Sequence, residues 1–174
     1  MPERPRVGIS RCLLGDEVRY DGTHTLDADL VSTLGAHVEW VPVCPEVEVG
    51  MGTPREPIHL VAGANGVPSA DARVRLLGVT SGTDWTGRMH AWARTRAEAL
   101  RQLGLSGFIL KARSPSCGIR DVRVDGDERS GRGLFAQAIV DAMPGLPVAD
   151  EDELHDPAAR RAFLTRVLAF RRGP

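Results

Sequence analysis

The sequence predicts an α/β fold, a mainly parallel sheet with helices on both faces (a Rossmann-like three-layer arrangement) whose site lies at the carboxyl ends of the strands. Three observations predict it. Apolar runs at Val7–Ser10, His37–Val43, Phe108–Ala112 and Leu146–Ala149 alternate with stretches of helical spacing, the pattern of parallel strands joined by crossovers. The first three runs each lead into a cysteine, at Cys12, Cys44 and Cys117, beside Gly, Pro or Ser. Open sheets of this kind hold ligands outside the carboxyl ends of their strands, so three residues far apart in sequence are brought to one crevice.

The elements follow in order. After Val7–Ser10 comes a loop from Arg11 to Thr25, turning at Gly15, Asp16, Asp21 and Gly22. Leu26, Leu30, Val31 and Leu34 then recur at helical spacing, with Thr25 or Asp27 as the cap and Gly35 at the end. His37–Val43 alternates poorly, as a strand covered on both faces does. Pro45 to Pro57 carries too many prolines and glycines for a long helix, and a loop of that length in a compact domain is usually functional. Ile58–Val61 and Ala72–Val79 read as strands, the second near an edge because of Arg73 and Arg75, with a turn over Ala62 to Pro68 between them. Asp84 to Leu103 is the clearest helix, with Trp85, Met89, Trp92, Leu100 and Leu103 on one stripe, which reads as core. Phe108–Ala112 runs into the turn Arg-Ser-Pro-Ser-Cys-Gly118. Val122 to Asp127 is a local pairing or loop. Leu134 to Met143 is a helix opened by Gly131-Arg-Gly133, and Asp156-Pro157 starts the last helix, with its cap followed by proline at the first position.

At 174 residues the chain makes a single domain, 1–174. Its net charge of -1 argues against nucleic acid as a partner. No apolar run approaches a membrane span, and the N-terminus lacks the apolar stretch of a signal peptide. The expected location is therefore the cytoplasm, away from membranes. Three cysteines in such a chain argue for metal ligation or a reactive thiol over a disulfide framework.

Three thiolates at a strand-end crevice suit zinc with an open position, or three irons of a four-iron cluster whose fourth iron has no protein ligand. Glu46, two residues after Cys44, is the acid/base candidate. Ser114 and Ser116 set hydroxyls beside Cys117, either to orient a substrate or to cap the turn around Pro115. Lys111 is the only lysine in the chain, a compact cation near the same turn. Tyr20 and Asp21 offer a stacking ring and a charge. His24, His59 and His90 are isolated and read as structural.

Ser10-Arg-Cys12-Leu-Leu-Gly15, Val18-Arg-Tyr-Asp-Gly22, Val43-Cys-Pro-Glu46, Pro54-Arg-Glu-Pro57 and Ile109-Leu-Lys-Ala-Arg-Ser-Pro-Ser-Cys-Gly118 together resemble the signature of the 2-thiouracil desulfurase family. The likeness covers roughly residues 6 to 150, leaving 151–174 as a C-terminal helix. It implies a [4Fe-4S] cluster on Cys12, Cys44 and Cys117, with one iron not ligated by protein and free for the sulfur of a thiolated nucleobase, the small-molecule partner. The implied reaction is C=S to C=O, with the sulfur passing to the cluster and leaving as sulfide. Glu46 and Ser114 match positions that assist catalysis in the family, while Tyr20, Asp21, Lys111 and Ser116 are candidate substrate contacts. Gly131-Arg-Gly-Leu-Phe135 departs from the Thr-containing helix start usual among relatives. The alternatives are a zinc-thiolate protein and a non-enzymatic iron–sulfur sensor.

Overall fold

The structure is a computed structural model that describes residues 3–63, 74–127 and 131–172. In chain order its elements are β1 (Arg6–Ser10), α1 (Ala28–Gly35), β2 (Glu39–Val43), the one-turn α2 (Pro45–Glu48), β3 (Ile58–Ala62), β4 (Val74–Gly78), α3 (Thr86–Gln102), β5 (Leu105–Leu110), β6 (Val124–Asp125), α4 (Leu134–Ala142), β7 (Val148–Asp150) and α5 (Pro157–Arg172). Short 3-10 turns follow β1 (Arg11–Leu14) and β7 (Glu153–His155). Among the described residues no helix is long and apolar enough to cross a membrane.

The main sheet is parallel throughout, in the order β2-β1-β5-β7. The central β5 is buried at all six positions, and its side chains divide between two cores. Phe108 and Leu110 join Ala93, Ala97 and Leu100 of α3 and Phe135, Ala136 and Ile139 of α4. Ile109 joins Leu30 and Leu34 of α1 and Phe163 and Val167 of α5. Successive residues of a strand point to opposite faces, so the expected cover of helices on both faces is present. Phe135 anchors the first core, its ring 5.7 Å from that of Phe108 and 5.2 Å from that of Trp92. Each such buried aromatic contributes about 1.5–3 kcal/mol.

Helix ends follow local chemistry. Asp27 caps α1, accepting from the Leu30 N–H at 3.0 Å. Asp156 accepts from Ala158 N at 3.0 Å ahead of Pro157, the first residue of α5. Asp84 binds Thr86 N at 2.9 Å, two residues later, where α3 begins.

Two features differ from the sequence reading. β2 lies at the sheet edge, with only Val43 of its five residues buried, and is not covered on both faces. Pro42 inside it carries the reason, because a proline gives no N–H to a ladder and belongs on an edge. The chain also forms a second sheet, β4-β3-β6. In it β3 and β4 pair antiparallel, Ile58 against Gly78 through Ala62 against Val74. β4 is an edge strand, as read. β6 adds a short parallel pairing. Residues 64–68 of the expected turn, and Ala72 and Arg73 of the next strand, lie outside the described residues. Leu60, Leu76, Val122 and Val124 of this region enclose Met89 and Leu134. The α3 stripe therefore serves two cores: Met89 under the second sheet, and Ala93 to Leu100 against the first. Leu103 ends outside both, 41% exposed.

Candidate functional site

A cavity of about 400 Å³ opens at the carboxyl ends of β1, β2 and β5. Its wall includes Cys12, Cys44 and Cys117, together with Glu46, Ser114, Lys111 and Tyr20. Asp21 and Ser116 are not on that wall. The three thiols are free, with Cys12 partly exposed and Cys44 and Cys117 buried. Among the described residues no three His, Cys, Asp or Glu side chains form a ready-made site for a metal ion.

Each cysteine is presented by a different local device. Cys12 sits in the 3-10 turn directly after β1 and accepts from Thr25 N at 3.0 Å through its carbonyl. Cys44 is the cap residue of α2, with Pro45 in the first turn. Cys117 is not at a strand end; it follows the end of β5 at Leu110 by a full turn. That turn is closed by Ser114, whose Oγ accepts from Ser116 N at 3.2 Å and Cys117 N at 3.1 Å. The capping reading of this serine is thus realised, and its hydroxyl proton stays free for another partner.

The segment leading to the turn is pinned from β7. Glu151 accepts from Ala112 N at 2.7 Å and pairs with the Lys111 ammonium. Arg113, at φ 60, holds a left-handed conformation that non-glycine residues rarely adopt, and it pairs with Asp152. Lys111 N in turn donates to the Ser10 hydroxyl at 2.9 Å.

On the far side, α4 docks on the turn end-on. Its otherwise unpaired first N–H groups donate to turn carbonyls: Leu134 N to Pro115 at 3.2 Å and Phe135 N to Ser116 at 3.0 Å. Gly133, just before the helix, is needed for this approach. A Cβ there would lie 2.5 Å from the Ser116 carbonyl and 2.9 Å from Cys117 N. Gly133→Ala is expected to cost about 1–3 kcal/mol in denaturant unfolding, as overpacking does. An unchanged unfolding midpoint would show that the turn yields freely.

Glu46 is held on both oxygens. Arg55 donates to Oε2 through Nε at 3.0 Å and also through its terminal nitrogen, and Ser116 Oγ donates to Oε1 at 3.0 Å. The Arg55 and Glu46 side chains are only 6% and 16% exposed. A carboxylate has about four acceptor sites, so these donors leave one, on Oε1. Arg55 was absent from the sequence-derived candidates, although Pro54-Arg-Glu-Pro57 contains it. Ser116, completely buried, touches Glu46 and is kept off the cavity by it. Tyr20 stands at the rim, 40% exposed, with the Arg19 guanidinium 5.7 Å from its ring. Asp21 is spent on its own loop, accepting from the N–H and hydroxyl of Thr23, which hold its pKa below the usual carboxylate range.

The thiols sit in opposing fields. Burial raises all three pKa values, Cys117 well above the ordinary thiol range. Polar neighbours work the other way, the Thr25 side chain at Cys12, the Val47 backbone at Cys44 and the Ser10 side chain at Cys117 each lowering the value. Cys12 and Cys44 each act electrostatically on Cys117. Among the described residues, Arg11, Arg19, Arg55, Lys111 and Arg113 line the cavity with Glu46 as its carboxylate. A soft three-sulfur donor set with cations around it fits an anionic metal cluster bound through cysteine.

A parallel α/β sheet with a cysteine-walled cavity at its strand ends defines a class of α/β proteins with a cysteine site. The chain belongs to the 2-thiouracil desulfurase family, whose description matches residues 7–151. It is similar to the uncharacterized protein YbbK of Bacillus subtilis (strain 168), 34% identical over 152 residues that cover 85% of this chain and 97% of that one. It also resembles the solved structure of the [4Fe-4S]-dependent thiouracil desulfidase TudS, at 29% identity and a TM-score of 0.68, over 91% of this chain and 97% of the other.

Proposed function

We propose that this protein is an enzyme that removes sulfur from a thiolated nucleobase such as 2-thiouracil. In this reaction C=S and water become C=O and hydrogen sulfide, with no net change of oxidation state. Cys12, Cys44 and Cys117 would hold a [4Fe-4S] cluster with one iron free of protein ligands. The observation that carries the reading is the convergence of those three thiols and Glu46 on one cavity.

When bound, the cluster supplies a Lewis-acidic iron matched to a soft thiocarbonyl sulfur. The chain's own residues do the rest. Glu46 takes a proton from water through the acceptor site left on Oε1, with Arg55 on Oε2 and Ser116 on Oε1 holding the carboxylate in one orientation. The Ser114 proton, unused by its turn, is available to a carbonyl or amide edge of the base. Lys111, fixed by Glu151, keeps positive charge at the cavity wall. Tyr20 offers a face on which a flat ring can stack. Asp21 shapes the loop that carries Tyr20, and Ser116 acts through Glu46.

The test is a panel of thiolated pyrimidines and purines given to protein reconstituted anaerobically with iron and sulfide. The reading expects sulfide and the oxo-base in equal amounts. A loaded protein that turns over no member of the panel would instead favour a cluster-bearing sensor.

A further inference from the structure

Glu151 is a buried carboxylate at a place where an amide would do the same backbone work. It directly follows β7 and is not on the cavity wall. Its two oxygens are divided: Oε2 accepts from Ala112 N at 2.7 Å, and Oε1 pairs with the Lys111 ammonium. Taking a carboxylate and an ammonium out of water is expensive, and replacing such a pair by apolar groups is often neutral or stabilising. Stability therefore does not account for the pair. Its other half does lie on the cavity wall. Lys111 is the only lysine among the 22 lysines and arginines of the chain. An ammonium carries three N–H donors. One goes to Glu151, and a second makes a long contact with the Ala112 carbonyl at 3.4 Å. Among the described residues the third has no acceptor.

We propose that Lys111 donates its third N–H to the ring carbonyl oxygen of the thiolated base, and that Glu151 is the positioning residue that aims it. Such a bond draws electron density out of the ring and makes the thiocarbonyl carbon a better target for water. One carboxylate holds both the ammonium and the N–H of the next residue, so the side chain and the backbone of the strand end are fixed together. A group aimed in advance costs no reorganisation when charge moves. A compact ammonium suits a place shared by a carboxylate, a carbonyl and a substrate oxygen, whereas a guanidinium presents a wide planar fork. The inference rests on the reading of the cavity as a thiolated-base site.

The test is a double-mutant cycle on the reconstituted protein, with kcat/KM for 2-thiouracil expressed per iron bound and the melting temperature of each variant recorded. Lys111→Met should lower kcat/KM by about 10²–10³-fold, the loss expected for one aimed donor. Lys111→Arg should not restore it, since charge alone is not what is used. Glu151→Gln keeps an acceptor for Ala112 N and releases the ammonium, so kcat/KM should fall by about 10²-fold, as misplacement of a reacting group does. Lys111→Met with Glu151→Gln should be no slower than Lys111→Met alone, because residues that act as a unit are not additive. It should also melt higher than Lys111→Met, which leaves a buried carboxylate without its cation. A double variant that loses the product of both single effects would make Glu151 a structural residue and overturn the proposal. The double variant buries no unpaired charge, so it stays measurable where a single variant does not fold, and parent-level kcat/KM in it would also overturn the proposal. The parent is measured first: a loaded parent that turns over no thiolated base defeats the functional reading and this inference with it, whereas an active parent with additive losses defeats this inference alone.

Discussion

Glu46→Gln is expected to lower turnover of a thiolated base by about 10²–10⁴-fold, the usual contribution of general acid–base catalysis, while iron content stays at the parent level. Glutamine keeps the length and shape of the side chain. Its amide oxygen still accepts from Arg55, which retains a second bond to Gly52 O at 2.9 Å, so the buried guanidinium is not stranded. What is lost is the acceptor site on Oε1 that can take up a proton. Steady-state sulfide release and iron analysis on the same preparation separate the outcomes. Loss of iron would make Glu46 a ligand and leave no iron open for substrate. Unchanged turnover would move the base elsewhere, and Lys111 is the next proton-handling group on the cavity wall.

Replacing any one cysteine has the larger effect. Cys12→Ala, Cys44→Ala and Cys117→Ala should each lower iron content and activity together, with sulfide release falling to the uncatalysed background. The fold should survive, because Cys44 and Cys117 fill small buried positions, 8% and 5% exposed, that alanine also tolerates. Far-ultraviolet circular dichroism of the metal-free variants checks that point. A variant that keeps its iron and its activity would remove that cysteine from the ligand set.

The sequence made the elements of the main sheet legible where the local signal was strong: Asp27 before an apolar helical stripe, and Asp156-Pro157 before another. It made the three cysteines legible because each follows an apolar run. It misled where tertiary context decides. Pro42 was read inside a covered strand although proline marks an edge. The apolar runs of β3 and β4 show strands but not that they leave the parallel sheet to form an antiparallel pair of their own. The partners that organise the cavity were the least visible. Arg55 reaches Glu46 across a proline-rich loop, and Glu151 reaches Lys111 and Ala112 from the end of a strand whose register the sequence does not state. Thr25 looked like a cap because caps are local, whereas its position beside Cys12 depends on how the loop after β1 folds back. Residues that act alone are written in local pattern, and residues that act on another side chain depend on topology.

The measurement that bears most directly on the central claim is the metal analysis of the anaerobically reconstituted protein. Iron and acid-labile sulfide would be determined per chain, and Mössbauer spectra recorded with and without 2-thiouracil. A cluster on Cys12, Cys44 and Cys117 predicts a brown protein with about four irons and four sulfides per chain. One iron should differ from the other three, and it alone should shift when the thiolated base is added. A colourless protein holding one tightly bound zinc, or iron signals that do not respond to the base, would contradict the account.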